Sequence, residues 1–254
     1  GMVHLVKKFI SLFFSSKPKI YTIWFGPIKG MKLFTTFLIS PRMIFGFDET
    51  WIAKTSYKYI KNGDTVYDLG AHIGYTSILF SKFVGNSGQV HAFELLPSVA
   101  KNYLVKNMDT NGITNVKVHA IGLADKKENV NIFVGNTMMG TLSKNGHKSQ
   151  QSEICKIDTL DNFIAENRIS PPKLIKIDVE QSEITCLRGA METIKKYRPT
   201  LIIEFHSLEL LRAGFKVLTE LGYQLQSKKE IIKDDSYFEK ITSFYGNTLA
   251  TPKP

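Results

Sequence analysis

The sequence has little cysteine and no long apolar run, and both absences narrow the class of protein. Its two cysteines, Cys155 and Cys186, form neither a CxxC pair nor a metal-ligand spacing, which predicts a reduced, cytoplasmic setting. No stretch reaches the run of about 20 apolar residues that a membrane-spanning helix needs. The sequence therefore favours neither a disulfide-stabilised secreted protein nor a membrane-spanning one.

Arginine is also scarce, with 5 arginines against 28 lysines. Residues 1–60 carry nine basic and two acidic side chains, so +7 of the net charge of +10 lies there. Such a segment suits nucleic acid or an anionic membrane surface. However, arginine does most of the bidentate recognition of phosphates and bases. We interpret the charge as a general lysine bias, with a nucleic-acid partner as the alternative.

The chain length and its 43% hydrophobic content suit one large domain with an extension. Residues 1–60 are predicted to form a basic, mainly helical N-terminal extension that packs on the core. Its stretch "LVKKFISLFF" (5–14) predicts an amphipathic helix that either lies on a membrane, as a peripheral contact, or docks on its own domain. Residues 61–254 are predicted to form the main domain.

Short apolar strands alternate with helices from residue 62 onward, which predicts an α/β fold. Five strands followed by helices indicate a Rossmann-like, doubly wound parallel sheet. Two further strands within 223–252 complete a seven-stranded sheet with a terminal antiparallel hairpin. A polar insertion at 125–153 is predicted to form a hairpin and a loop.

Four predicted strands end in an acid, namely Asp68, Glu94, Asp178 and Glu204. Ligands of doubly wound sheets bind beyond the carboxyl ends of the strands. Four carboxylates at that edge are costly to bury unless they meet hydroxyls or a cation. Glu94 follows Asp68 by 26 residues, where nucleotide-binding sheets place an acid against the ribose hydroxyls.

The segment "VYDLGAHIG" (66–74) suggests what kind of nucleotide binds. Phosphate-binding loops put no acid in front of their glycines, and the dinucleotide motif G-x-G-x-x-G would need glycine where Asp68 stands. An adenosine compound without phosphate and with positive charge fits better. S-adenosylmethionine, with its ammonium and its sulfonium, is such a compound, and S-adenosylhomocysteine would be its product.

Five segments make the sequence resemble the FkbM-type family of class I S-adenosylmethionine-dependent methyltransferases, over roughly residues 62–252. They are "DLGAHIGYTS" (68–77), "VHAFELLPS" (90–98), "IDTLDNFI" (157–164), "LIKIDVEQSE" (174–183) and "PTLIIEFH" (199–206). The family usually has glycine after the "DVE" triplet, where this chain has Gln181. The longer side chain predicts a narrower acceptor pocket.

The resemblance implies a cofactor site on the first loop and at the end of the second strand. The methionine end would lie over the first loop, with Glu94 on the ribose and Leu95 and Ile121 beside the adenine. The implied residues of the first loop are Asp68, Gly70, Ala71, His72, Gly74 and Thr76. His72 is expected to contribute its backbone rather than carry a proton.

A hydroxyl acceptor needs a general base or a metal to become nucleophilic at neutral pH. The candidate bases lie after the fourth and fifth strands: Asp178, Glu180, Glu204 and His206. Glu183 is expected on the solvated face of the following helix. A pair such as Asp178 and Glu204 could hold Mg²⁺. A Mg²⁺ site needs more oxygen ligands than the sequence offers here, so no metal is predicted.

The predicted function is therefore methyl transfer from S-adenosylmethionine to a saccharide or small-molecule hydroxyl. The acceptor pocket is expected to be covered by residues 135–150 and 40–52. The alternative is an RNA methyltransferase that uses the basic N-terminal region as a strand-binding surface.

Overall fold

The computed structural model describes residues 17–37, 40–134, 140–141, 151–228 and 230–253. The stretch at 5–14 and most of the segment at 135–150, which was expected to cover the acceptor pocket, lie outside these residues. Within the described ranges, no helix combines the length and apolar character needed to cross a membrane.

The strands are, in chain order, β1 (Lys19–Thr22), β2 (Lys32–Thr35), β3 (Thr65–Leu69), β4 (Gln89–Phe93), β5 (Val116–His119), β6 (Gly122–Leu123), β7 (Glu128–Val134), β8 (Gly140–Thr141), β9 (Gln151–Asp158), β10 (Leu174–Ile177), β11 (Thr200–Phe205), β12 (Tyr223–Ser227), β13 (Ile231–Ile232) and β14 (Gly246–Pro252). The helices are α1 (Pro41–Phe45), α2 (Thr50–Tyr59), α3 (Tyr75–Val84), α4 (Pro97–Val99), α5 (Lys106–Thr110), α6 (Leu160–Asn167), α7 (Glu183–Arg188), α8 (Met191–Tyr197), α9 (Leu208–Glu220) and α10 (Ser236–Glu239), with a π-helical segment, Ala100–Val105, between α4 and α5.

The central sheet has the order β5-β4-β3-β10-β11-β14-β12-β13. The first five strands of this order pair in parallel, and β14 runs antiparallel to both β11 and β12. This confirms the predicted doubly wound sheet and its terminal antiparallel strands. The two-residue strand β13 adds an eighth member by pairing with β12. The parallel order brings the carboxyl ends of β3, β10 and β11 side by side.

The N-terminal extension differs from its prediction, because its described part is not mainly helical. Strands β1 and β2 form an antiparallel hairpin in which Lys19 pairs with Thr35, and two helices of five and ten residues follow. The turn between the strands contains Gly26 and Gly30, both at positive φ. Such angles favour glycine, so the "GPIKG" segment (26–30) forms a turn between two short strands in a region that was predicted to be mainly helical.

The same hairpin packs on the loop that follows β3. Ile23, Ile28 and Leu33 are buried in one cluster with Ile73 of that loop. Asn107 joins the two regions, because it accepts a hydrogen bond from the Phe34 backbone N–H and donates one to the Ile73 carbonyl at 2.8 Å. These contacts join the β1–β2 hairpin to that loop, while the division into an extension of residues 1–60 packed on a main domain stays a prediction.

The polar insertion forms a second sheet of order β6-β9-β7-β8, in which β7 pairs antiparallel with β9. Glu153 on β9 accepts hydrogen bonds from the backbone N–H and the hydroxyl of Ser98, at the start of the helical segment after β4. The insertion is thereby fixed to the helical segment that follows β4 and Glu94.

Candidate active site

A buried lysine lies at the centre of the strand ends. Lys176 on β10 is directly opposite Asp68 on β3 in the sheet register. Its Nζ lies 3.3 Å from Asp68 Oδ1 and 3.5 Å from Asp178 Oδ2, and it donates a hydrogen bond to the Gly70 carbonyl at 3.2 Å. Burial lowers the pKa of Lys176, but the charges of Asp68, Asp178 and Glu49 outweigh it, so the pKa is raised. Lys176 therefore stays protonated, and sequence reasoning missed it.

Asp68 is fully buried, and both of its oxygens are engaged inside the protein. Oδ1 pairs with Lys176, and Oδ2 accepts a hydrogen bond from the Ser77 hydroxyl at 2.6 Å. The positive charge that the sequence led us to expect beside Asp68 is thus supplied by the chain itself. The role of Asp68 toward the cofactor stays a prediction.

The two glycines of the first loop serve close packing within the protein. At Gly70 (φ 79°), an added Cβ would lie 1.7 Å from the carbonyl oxygen of Asp178. At Gly74 (φ 94°), it would lie 2.6 Å from Leu104 Cδ1. At Gly70 any side chain would clash with the backbone, while at Gly74 the ends of the Leu104 and Met108 side chains would have to shift; the positive φ would strain a side chain at either position. The glycines therefore set the path of the loop, and Gly70 brings it against the end of β10.

Glu94, directly after β4, holds the loop between β3 and α3 (residues 70–74) by a hydrogen bond to its backbone. It is 8% exposed, and its two oxygens accept hydrogen bonds from the His72 backbone N–H at 2.8 Å and the Leu96 backbone N–H at 3.0 Å. Burial raises the pKa of Glu94, and these two N–H groups oppose the rise. Each carboxylate oxygen can accept a further hydrogen bond, so Glu94 can still receive hydroxyl donors.

The remaining predicted cofactor residues lie along the same edge. Ala71 and Thr76 are buried, at the start of the loop and in the first turn of α3. Leu95 is half-buried beside Gly122, where an added Cβ would meet Leu95 Cδ1 at 2.5 Å. This close approach brings Leu95 next to the segment that contains Ile121. That Leu95 and Ile121 flank the adenine stays a prediction.

Three of the predicted acceptor-side residues come together after β10 and on β11. His206 Nε2 lies 3.7 Å from Asp178 Oδ1. One ligand atom from each of Asp178, Glu204 and His206 lies within 4.8 Å of the others, so the three side chains could hold a metal ion. The absence of a metal stays a prediction. Glu180, by contrast, is exposed in the turn after Asp178.

Glu183 corrects a sequence expectation, because it is fully buried and not on a solvated face. It is the first residue of α7, and its Oε1 makes a hydrogen bond with His206 Nδ1. A charged residue at a helix start normally indicates solvent exposure, so the sequence carried no signal for this contact. His206 is consequently bonded at one ring nitrogen and faces Asp178 with the other.

The acidic character of the site extends to the N-terminal region. Burial and nearby carboxylates raise the pKa of Glu204 to about 7 and that of Glu49 to about 7. Asp178 contributes to both shifts, so Glu49, at the start of α2, lies near the acceptor side. The expectation that residues 40–52 help to cover the acceptor pocket stays a prediction.

Two tyrosines also belong to the site, and sequence reasoning named neither. The Tyr75 side chain is buried, and within the described ranges its hydroxyl has no hydrogen-bond partner. Burial and the charges of Asp48 and Glu49 raise its pKa to about 12. Tyr245 is 69% exposed, and its ring packs edge-on against His206 with centroids 5.2 Å apart. Tyr75 follows the first loop directly, which is the signal that could have indicated it.

The strand order and the acids at its carboxyl edge define a class of protein, the class I S-adenosylmethionine-dependent methyltransferases. Comparison with protein families narrows the class: the methyltransferase FkbM domain matches residues 68–225, more than half of the chain. The chain belongs to this family and is an S-adenosylmethionine-dependent methyltransferase. No curated protein matches the sequence.

Solved structures share the fold at low sequence identity. A precorrin-6y C5,15-methyltransferase from Geobacter metallireducens matches with TM-score 0.50 and 11% identity, over 81% of this chain and 90% of its own. Trm5b from Pyrococcus abyssi matches with TM-score 0.50 and 14% identity, over 94% of this chain and 56% of its own. The methyltransferase FkbM from Methylobacillus flagellatus matches with TM-score 0.48 and 19% identity, over 76% of this chain but only 44% of its own. This chain thus spans less than half of that protein's length.

The position at which the family usually has glycine adopts a backbone conformation that favours glycine. Gln181 is exposed and has φ 64°, directly after Glu180 at φ 42°. A residue with a Cβ in the left-handed region costs roughly 1–2 kcal/mol. The family's glycine therefore has a backbone reason, and this chain carries strain at the turn that follows Asp178.

We predict that Gln181→Gly stabilises the protein. Relief of the left-handed strain exceeds the extra entropy of glycine in the unfolded chain, so the free energy of unfolding should rise by about 0.5–1 kcal/mol. Urea denaturation measures it. Lys216→Gly, on the exposed face of α9, is the control, and its free energy of unfolding should fall by about 1 kcal/mol. A loss of stability in Gln181→Gly similar to that of the control would contradict the prediction.

Proposed function

We propose that the protein transfers a methyl group from S-adenosylmethionine to a hydroxyl oxygen of a saccharide or another small molecule. The observation that carries the proposal is His206, which is held at Nδ1 by buried Glu183 and faces Asp178 with Nε2. An imidazole fixed in this way beside carboxylates suits removal of a proton from a hydroxyl.

The site fits the cofactor that the family implies. Carboxylates outnumber cations around the strand ends, where only Lys176 and His206 carry or can gain positive charge among the groups described above. A ligand with an ammonium and a sulfonium would balance that excess. Within the described ranges the buried Tyr75 hydroxyl lacks a hydrogen-bond partner, which a bound ligand would supply. When bound, S-adenosylmethionine supplies a methyl group on a positively charged sulfur.

In this proposal, each part of the cofactor meets a different part of the edge. The methionine end lies over the first loop, Glu94 accepts from the ribose hydroxyls, and Leu95 and Ile121 flank the adenine. The first-loop residues proposed to line the methionine end are Asp68, Gly70, Ala71, His72, Gly74 and Thr76. Asp68 acts there through Lys176, because neither of its oxygens is exposed.

The acceptor is proposed to lie between His206 and Asp178. His206 takes the hydroxyl proton at Nε2, and Asp178 orients the hydroxyl or the imidazolium that forms. Glu204, with a pKa of about 7, is the second candidate base, because a carboxyl with that pKa can accept a proton near neutral pH. Exposed Glu180 is the weakest candidate.

Electrostatics favour a small acceptor over RNA. The described part of the N-terminal region is basic, but its Asp48 and Glu49 interact electrostatically with the site, because the charge of Asp178 helps to raise the pKa of both. They add to Asp178 and Glu204, and a polyphosphate strand would be repelled by this acidic edge. The edge suits a neutral or cationic acceptor.

We predict that the protein binds S-adenosylmethionine and S-adenosylhomocysteine but not NAD. Isothermal titration calorimetry with each ligand measures this. Glu94→Ala should weaken binding of S-adenosylhomocysteine by about 1–3 kcal/mol, since a buried acceptor of the ribose hydroxyls is lost. Glu192→Ala, an exposed glutamate on α8, is the control and should bind as the wild type. An unchanged affinity in Glu94→Ala would remove Glu94 from the site.

We predict turnover with a hydroxyl acceptor, measured as S-adenosylhomocysteine release across a panel of sugars, small alcohols and RNA oligonucleotides. His206→Ala should keep its affinity for S-adenosylmethionine and lose about 10²–10⁴-fold in turnover, the usual range for a lost general base. Calorimetry on the same variant is the control. Wild-type turnover in His206→Ala, or activity on RNA alone, would contradict the proposed function.

A further inference from the structure

Glu183 is a buried carboxylate that the sequence left without a role, and the proposed function names it only as the partner of His206 Nδ1. It is 0% exposed and begins α7, three residues after the turn that carries Glu180. Its Oε1 bonds to His206 Nδ1, while its Oε2 is buried and has no hydrogen-bond partner in the part of the chain described. Burying a carboxylate with one oxygen unsatisfied is costly unless a positive partner compensates. His206 is the group in position to be that partner.

Glu183 differs from the other groups around the His206 ring in how it contacts the ring. Four groups face the ring from different elements: Glu183 from α7, Asp178 from the end of β10, Glu204 from β11 and the Tyr245 ring from the segment before β14. Among these four, Glu183 is the one that hydrogen-bonds the ring within the described residues. Among the residues that the structure describes, the other three groups make no hydrogen bond to Nε2, which faces Asp178 in the proposed acceptor site.

We propose that Glu183 is a positioning residue that fixes the orientation, the tautomer and the basicity of His206. The inference rests on the proposed function in which His206 accepts the hydroxyl proton. A carboxylate at Nδ1 keeps the proton of the neutral ring on that nitrogen, so the lone pair stays on Nε2. When Nε2 takes the acceptor's proton, the resulting imidazolium is stabilised by the negative charge of Glu183.

The electrostatics of the ring agree with this geometry. Burial lowers the pKa of His206, but the hydrogen bond to Glu183 and the charges of Glu183, Asp178 and Glu204 outweigh it and raise the pKa above its ordinary value. The neutral, base-competent form exists above that pKa. Turnover should therefore fall as the pH drops through the raised pKa, which gives the pH profile of turnover an acid limb. Removal of the Glu183 charge should move this acid limb to lower pH.

The test measures the ring directly in the full chain, without an acceptor. Two-bond ¹H–¹⁵N NMR spectra of protein labelled at its six histidines give the tautomer and the pKa of His206. His206→Gln assigns its signals by their loss. The variant that tests the proposal is Glu183→Gln, which keeps the shape and removes the charge. Glu183→Asp keeps the charge and serves as the conservative variant should the glutamine variant not fold.

A matched control is a carboxylate with a structural task elsewhere. Asp161 accepts hydrogen bonds from the backbone N–H groups of Glu192 and Thr193 at the start of α8. Asp161→Asn should lower stability without changing the His206 signals. A general loss of packing is thereby separated from a specific effect on the ring.

In the wild type we expect the Nδ1-protonated tautomer and a His206 pKa above about 6.5. Glu183→Gln should lower that pKa by about 1–3 units, the range for loss of an adjacent opposite charge. The His206 pKa should stay higher in Glu183→Asp than in Glu183→Gln, because the aspartate keeps the negative charge. With an acceptor from the sugar and alcohol panel, the acid limb of turnover should shift by the same amount in Glu183→Gln.

An unchanged tautomer and pKa of His206 in Glu183→Gln would overturn the proposal, as would a lower turnover in that variant with no movement of the acid limb. Direct binding of a metal ion by His206, seen as a shift of its ring ¹⁵N signals on titration with Zn²⁺ at stoichiometric concentration together with loss of turnover on treatment with EDTA, would also overturn it, because His206 would then be a metal ligand rather than a base. If the wild type turns over no acceptor, the proposed function fails, while the NMR measurement still decides what Glu183 does to His206.

Discussion

The pairing of Lys176 with two aspartates is the interaction on which the strand-end site depends. A lysine in the middle of a buried parallel strand is tolerated only because Asp68 lies opposite it in register and Asp178 follows two residues later. The same ammonium donates to the Gly70 carbonyl, where the first loop touches the end of β10. One buried cation thus fixes the loop proposed to bind the cofactor and the aspartate proposed to meet the acceptor.

Under the proposed function, this arrangement explains how one edge of a sheet serves both a methyl donor and an acceptor. On the donor side, Glu94 holds the first loop through the His72 backbone N–H. On the acceptor side, Glu183 holds His206, and Glu49 adds a carboxylate from the N-terminal region. Both sides meet at Asp178, whose two oxygens face Lys176 and His206. The excess of carboxylates at this edge suits a positively charged methyl donor and does not suit a polyphosphate acceptor.

Much of this could be predicted from the sequence, because strand alternation and acids at strand ends are local patterns. The doubly wound sheet followed from the patterns, and so did the family. Contacts between distant segments could not be derived in this way: the burial of Glu183 depends on His206, 23 residues later. Lys176 did carry a signal, as a single charge within the apolar run "LIKI", and so did the short alternating strands around "GPIKG" that were expected to be helical. The glycine-favouring turn at Gln181 became clear only from its φ angle.

The most direct measurement of the central claim is the free energy of unfolding of Lys176→Met by urea denaturation. The substitution keeps the apolar stem and leaves Asp68 buried without its cation, so the variant should lose about 3–5 kcal/mol. Lys54→Met, on the exposed side of α2, is the matched control and should stay within about 0.5 kcal/mol of the wild type. A Lys176→Met variant as stable as this control would contradict the account, because the strand ends would then not depend on the buried cation.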